Sequence, residues 1–283
     1  MFSEVGDDAE FINDPNIQFK LPEEKIEMHN EYIEELISIE WEKNTDLRNK
    51  LYTAGAQLTF SDLPTFATAF EADPTNLPIL CIDEGCAGVG THMAGSGCMI
   101  AEDELITELK AAGITEFTTH ENCGAWGLTH PEITDPKEKE SAVKSWGESI
   151  AKKLGIPHRY IPEEEMDRPA DFHNAFYAVY DLTGKFNSKA VDGMPSGFIT
   201  SPKFFSSAKA DLELAVKIAT GDHGFGKRFT TENPFVLIGI IPSGEDAEIS
   251  KEQIQKDLEE VQQKFDQGIV KIDFIEAPQT VQQ

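Results

Sequence analysis

Positive charge is what this sequence most lacks. Lysine and arginine total 24 against 51 aspartate and glutamate, a formal net charge of −27. That balance argues against nucleic acid and anionic membrane as partners. Arginine is scarcest, with only Arg48, Arg159, Arg168 and Arg228. Long apolar runs are missing too, and none approaches the roughly 20 residues that span a bilayer. The opening MFSEVGDDAEFINDPN has neither a basic start nor an apolar core, so it does not read as a signal peptide. A cytoplasmic protein is expected. There is no Cys-x-x-Cys pair, which weakens a thiol-redox role. No internal repeat is visible.

Cysteine is sparse but concentrated. All four, Cys81, Cys86, Cys98 and Cys123, fall in one short window of a 283-residue chain. Secreted disulfide scaffolds spread their cysteines, whereas intracellular enzymes cluster them at metal or catalytic sites. A local site in a reducing compartment is the expectation.

The chain divides by pattern. Residues 1–20 are acidic, interrupted by Asn13-Asp14-Pro15, and read as a flexible N-terminus. Residues 21–76 read as a helical arm. Within it a long charged helix from about Pro22 to Leu51 carries Ile33, Leu36, Ile37 and Leu47 at helical spacing. Residues 77–277 alternate strand and helix, and 278–283 read as a loose C-terminus. Strands are expected at Leu77–Asp83, Ile114–Thr119, His158–Ile161, Phe176–Tyr180, Phe235–Ile241 and Val270–Ile275. Helices are expected at 101–112, stopped by Gly113, and from Asp135-Pro136 to Gly155. Two more are expected at 203–220 and from Ser250 onward. This rhythm indicates an α/β fold with a mostly parallel central sheet flanked by helices.

Open α/β sheets gather ligands at the carboxyl ends of their strands. One predicted strand ends Cys81-Ile82-Asp83-Glu84-Gly85, another His120-Glu121-Asn122-Cys123-Gly124. Were these strands neighbours, Cys81, His120 and Cys123 would converge. Two thiolates and an imidazole suit zinc, with a fourth position left open, and such ligands also accept cadmium. Cys86 and Cys98 read as packing residues. Asp83 is the acid beside the centre. His92, His130, Glu84 and Glu121 are candidate proton relays. Gly221 to Gly226 spells G-x-x-G-x-G but follows a helix rather than a strand, so it is not taken as a phosphate loop.

Cys-x-Asp at one strand end, with His-x-x-Cys-Gly at the next, resembles the β-class carbonic anhydrases. A looser similarity is to the cadmium-tolerant carbonic anhydrases of marine diatoms. The β-class resemblance implies zinc on Cys81, His120 and Cys123, Asp83 as the acid working beside it, and reversible hydration of carbon dioxide to bicarbonate. It also implies a homodimer, because N-terminal helices of that family embrace a neighbouring subunit. The chain departs from the family at Gly85, where an arginine normally pairs with the acid and keeps it off the metal. Without that partner, Asp83 either closes the metal site as a fourth ligand, giving a non-catalytic zinc protein, or is restrained by a distant group such as His92 or Arg159. Hydrolysis of carbonyl sulfide or carbon disulfide would use the same centre.

Overall fold

The computed structural model describes residues 23–71, 76–222, 224–244, 247–265 and 268–278. The expected flexible N-terminus, His223 and most of the C-terminal tail lie outside these residues. Among the described residues, no helix is long and apolar enough to cross a membrane.

The expected long first helix is broken in two. Helix α1 (Glu23–Lys43) and α2 (Thr45–Ala54) meet at Asn44, whose backbone leaves helical geometry at φ −103° and ψ 14°. Arg48 reaches back across this break. It donates to the Trp41 carbonyl and stacks 3.7 Å from the Trp41 ring. A short helix α3 (Ala56–Ser61) completes the arm.

The arm lies on the far half of its own chain. Trp41 packs edge-on against Phe225 and Phe229, Arg228 donates to Ser38 Oγ, and the Ala56 amide donates to Asp273 Oδ2.

Among the described residues eight strands follow, all parallel to their neighbours. The α/β expectation holds, but the single central sheet does not. There are two four-stranded sheets. In the first, β1 (Pro78–Leu80), β2 (Thr91–His92), β3 (Glu116–His120) and β4 (His158–Ile161) lie in the order β2-β1-β3-β4. In the second, β5 (Tyr177–Asp181), β6 (Phe198–Thr200), β7 (Phe235–Ile241) and β8 (Val270–Glu276) lie in the order β6-β5-β7-β8.

The crossovers correspond as well. Helix α4 (Glu102–Ala112) joins β2 to β3, and α5 (Gly124–Thr129) with α6 (Pro136–Leu154) joins β3 to β4. In the second unit α7 (Ala208–Ala219) joins β6 to β7, and α8 (Ala247–Gln262) joins β7 to β8. The chain therefore repeats its topology where its sequence shows no repeat. Edge strands β2 and β6 lie side by side where the units meet. There the His92 amide donates to Ser201 Oγ at 3.1 Å, and the Ile199 amide to the Ile82 carbonyl at 3.3 Å.

Local chemistry explains the elements. Asp135 caps α6 by accepting from the Glu138 amide at 2.9 Å, with Pro136 in the first turn. Gly113 and Gly155 stop α4 and α6 as expected. Strands β5 and β7 are buried at every position, which accounts for their unbroken apolar runs. Burying a Val, Leu, Ile or Phe side chain contributes about 1.5–3 kcal/mol. The second unit is accordingly the more continuous part of the core. Strands β2 and β6 were not foreseen, being two and three residues long. The expected strand at 77–83 ends at Leu80, because Asp83 accepts from the Gly85 amide at 2.9 Å and starts a short 3-10 helix. Helix α7 begins later than expected, after the Ser201-Pro202 turn, and α8 begins earlier, at Ala247.

Candidate metal centre

Strands β1 and β3 are hydrogen-bonded neighbours, so their carboxyl ends meet. Cys81 follows β1, His120 ends β3, and Cys123 caps α5. The turn between His120 and Cys123 is tight because Asn122 adopts a left-handed φ of 52°. Ligating atoms of all three residues lie within 4.8 Å of one another, and all three side chains are buried. The three expected ligands are thus brought together. All four cysteines are free thiols.

The donor set fits a thiophilic metal. The His120 ring nitrogen Nδ1 hydrogen-bonds the Glu121 carbonyl at 2.8 Å, which places its hydrogen there. Nε2 is left buried and without a partner among the described residues. An unpartnered imidazole nitrogen beside two thiols is a donor set that could hold a metal ion. The Cys81 thiol is pushed well above its ordinary range by its hydrogen bond with Cys123 and by burial. For His120, burial pushes the pKa down, but the Cys81 charge outweighs it and the result is about 9. The two groups titrate as a coupled pair, in which a proton leaving Cys81 is favoured on His120, and a metal bound to both would displace it. The Gly95 amide donates to Cys81 Sγ at 3.2 Å, a contact that suits a thiolate.

Asp83 stands beside the ligands and is held by the arginine the motif lacks. Arg168 Nε donates to Asp83 Oδ1 at 2.8 Å, and the Gly85 amide donates to the same oxygen. Both partners among the described residues fall on Oδ1, which leaves Oδ2 for a ligand. Arg168 is fixed in turn by the Pro169 carbonyl at 2.8 Å and the Ala170 carbonyl at 3.2 Å. Both side chains of the pair are buried. Burial alone would raise the Asp83 carboxyl, but the charges of Arg168 and His120 pull it down to about 2.

The expected restraints were His92 or Arg159, and neither serves. Arg159 pairs with Glu116 at 3.0 Å. His92 is buried with both ring nitrogens unpartnered among the described residues, and desolvation pulls it down to about 3.

Gly85 now has a packing reason. A Cβ there would lie 2.7 Å from Met166 Cε and 2.9 Å from Arg168 Cγ. The Asp167 amide also donates to the Gly85 carbonyl at 3.0 Å. A side chain at 85 would push away the segment that delivers Arg168. The arginine lies 85 positions along the chain from its aspartate. Its sequence signal was only scarcity, one of four arginines in an acidic protein.

The candidate relays are mostly engaged elsewhere. Glu84 is fully buried and bound by His173 Nδ1 at 2.9 Å and by the Asn174 amide at 3.1 Å. This pair anchors the segment following Arg168 against the Asp83 turn. Glu121 Oε2 accepts from the Glu163 amide at 3.0 Å. His130 stacks on Trp126, with ring centroids 3.8 Å apart. Cys86 is buried as packing, and Cys98 is half-buried.

Two spaces adjoin the ligands. A cleft of about 180 Å³, lined by His120, Asn122, Cys123, Lys139, Val143 and Tyr160, opens outward. Beside it, sharing His120, Cys123 and Val143, lies a space of about 10 Å³, enough for a water-sized molecule, lined by Ser96, Trp126 and Trp146. Ser96 Oγ and Trp126 Nε1 are buried there without partners among the described residues. The walls are apolar with two spare hydroxyl or indole donors, a setting for a small neutral molecule.

Comparison with protein-family models, with curated proteins and with solved structures found no match.

Proposed function

We propose that this protein is a zinc-dependent carbonic anhydrase-like enzyme, interconverting carbon dioxide and bicarbonate. The observation that carries the reading is the combination of two thiols and an orphaned imidazole nitrogen with an acid tied through only one of its oxygens. Cys81, His120 and Cys123 would hold the metal, and cadmium suits the same donors. When bound, zinc supplies Lewis-acid activation of water, lowering its pKa from about 15.7 to about 7.

The remaining work falls to this chain. Asp83 Oδ2, without a partner among the described residues, would accept a hydrogen bond from the attacking water and so orient it toward the substrate. Arg168 and the Gly85 amide hold Oδ1, which keeps the carboxylate ionised and away from the ligand position. Val143, Trp126 and Trp146 form the apolar wall beside the ligands against which an uncharged substrate would lie, and Ser96 Oγ is the polar atom on that wall without a partner among the described residues. The outward cleft at Asn122 and Lys139 is the route for bicarbonate to leave.

Stopped-flow hydration of carbon dioxide by zinc-loaded protein tests the reading, with Asp83→Asn as the control. Catalysis that collapses in the variant is expected. No rate above buffer from neutral to alkaline pH would overturn it and leave a zinc-binding protein without this activity. Carbonyl sulfide and carbon disulfide as substrates in the same assay separate the related hydrolase.

A further inference from the structure

The second unit repeats the first in strand order, yet it cannot repeat its chemistry. Cys81 follows β1, but Leu182 follows β5. Strand β3 ends in His120, but β7 ends in Ile241. The carboxyl ends of β5, β7 and β8 nevertheless frame a cavity of about 380 Å³, within the range of small-molecule sites. Its polar lining is Thr183, Lys185, Lys203 and Ser243. Among the described residues two lysines and no carboxylate line it, in a chain with more than twice as many acids as bases. Phe70, Leu182 and Pro242 supply apolar wall.

The lysines stand on a built turn. Asp181, buried at the end of β5, accepts from the Thr183 amide and hydroxyl at 2.9 and 2.6 Å. It also accepts from the Lys185 and Phe186 amides, each at 2.9 Å. Both its oxygens are therefore spent inside the turn, and it is not among the cavity's lining residues. Lys203 Nζ donates to the Thr183 carbonyl at 2.8 Å, one of three donors it carries. Gly184 adopts a left-handed φ of 64°, and a Cβ there would lie 2.8 Å from Lys203 Cδ and 2.4 Å from Phe204 Cε2. The turn thus needs glycine so that Lys203 can lie across it. Neither lysine has a carboxylate within 4.0 Å among the described residues.

We propose that the carboxyl end of the second sheet is a binding site for a small phosphate-bearing metabolite, its dianion held by Lys185 and Lys203. The two ammonium groups match the two negative charges of a phosphate monoester. Thr183 and Ser243 offer hydroxyls at the same rim, and Phe70 with Leu182 receives the apolar body of the ester. Position at the strands' carboxyl ends is where open α/β units take ligands. This inference is independent of the metal reading, because the cavity shares no residue with the metal centre.

Titration of ¹⁵N-labelled full-length protein with inorganic phosphate, and separately with glycerol 3-phosphate, tests it at constant ionic strength against chloride. Saturable shifts of the Thr183, Lys185 and Ser243 amides are expected, with those of Gly95 and His120 unmoved. Tighter binding of the ester than of phosphate identifies an ester as the ligand, and equal binding identifies free phosphate. Lys185→Gln with Lys203→Gln, both exposed positions, should weaken binding at least about tenfold, given the strength of charge-assisted bonds. The single variants should fall between. No saturable shift with either probe, or the same affinity in a double variant that keeps the native spectrum elsewhere, would overturn the proposal.

Discussion

The two four-stranded units share strand order and crossovers, and differ in what stands at their carboxyl ends. In the first, the residues at the strand ends are thiols and an imidazole, and Asp83, two residues beyond Cys81, is held by Arg168. In the second, the aspartate is turned inward to hold a backbone turn, and lysines face the cavity. The comparison teaches that topology positions a site while side chains decide its chemistry. It also separates two uses of a buried carboxylate. Asp83 keeps one oxygen free, whereas Asp181 spends both.

The largest break in that comparison comes from the metal ligands. Cys123→Ala or His120→Ala should abolish stoichiometric zinc, measured by elemental analysis after dialysis. Lys185→Gln in the second unit should leave the metal content unchanged. Zinc retained by the ligand variants would refute the assignment.

Next in size is the carboxylate held by Arg168. Asp83→Asn should retain zinc but lower the carbon dioxide hydration rate by about 10²–10³-fold, the scale of a lost proton acceptor. Arg168→Ala should act through Asp83. It should retain metal, lose rate, and place a carboxylate oxygen on zinc in X-ray absorption spectra. Unchanged coordination would mean that Arg168 is not what keeps the site open.

The inward aspartate predicts a different readout. Asp181→Ala leaves buried amide donors unsatisfied and should cost about 2–4 kcal/mol in denaturant unfolding, with metal content intact. Gly85→Ala sits between the two behaviours. Crowding of Met166 and Arg168 should cost about 1–3 kcal/mol and also reduce hydration, because Arg168 moves.

The smallest effect is a pH dependence. Glu84 raises the pKa of His173 above its usual value against the burial penalty. The stabilisation is therefore full below 6.5, the ordinary value for His, and fades as pH rises through the folded value. His173→Gln should flatten that part of the stability curve, measured as melting temperature against pH.

Much of the centre was legible because its signals are local. Cys81 and Asp83 follow an apolar run, and His120 and Cys123 follow the strand expected after the Gly113 helix stop, so strand ends plus residue chemistry sufficed. The partner of Asp83 was not legible. Arg168 sits in an acidic stretch beyond β4, and only packing brings it back across the Gly85 turn. The topological repeat was hidden for a related reason. PILCIDEG and YAVYDLTG share a pattern of burial and almost no residues, and β2 and β6 are too short to announce themselves. The arm showed an apolar face but not what it covers. The Trp41 contacts settle that it covers the second unit of its own chain.

The sequence by itself determined the helix caps, the buried strands and, on each of two strand ends, the donors of the candidate metal centre, because each of these signals lies within a few residues. Tertiary structure decided that the strands form two sheets rather than one, that the arm folds back onto the second, and that an arginine 85 positions away restrains the acid. Those outcomes depend on which surfaces remain to be covered once the local elements exist. Closure over such distances is chosen by packing and charge pairing, neither of which leaves a mark within one window of sequence.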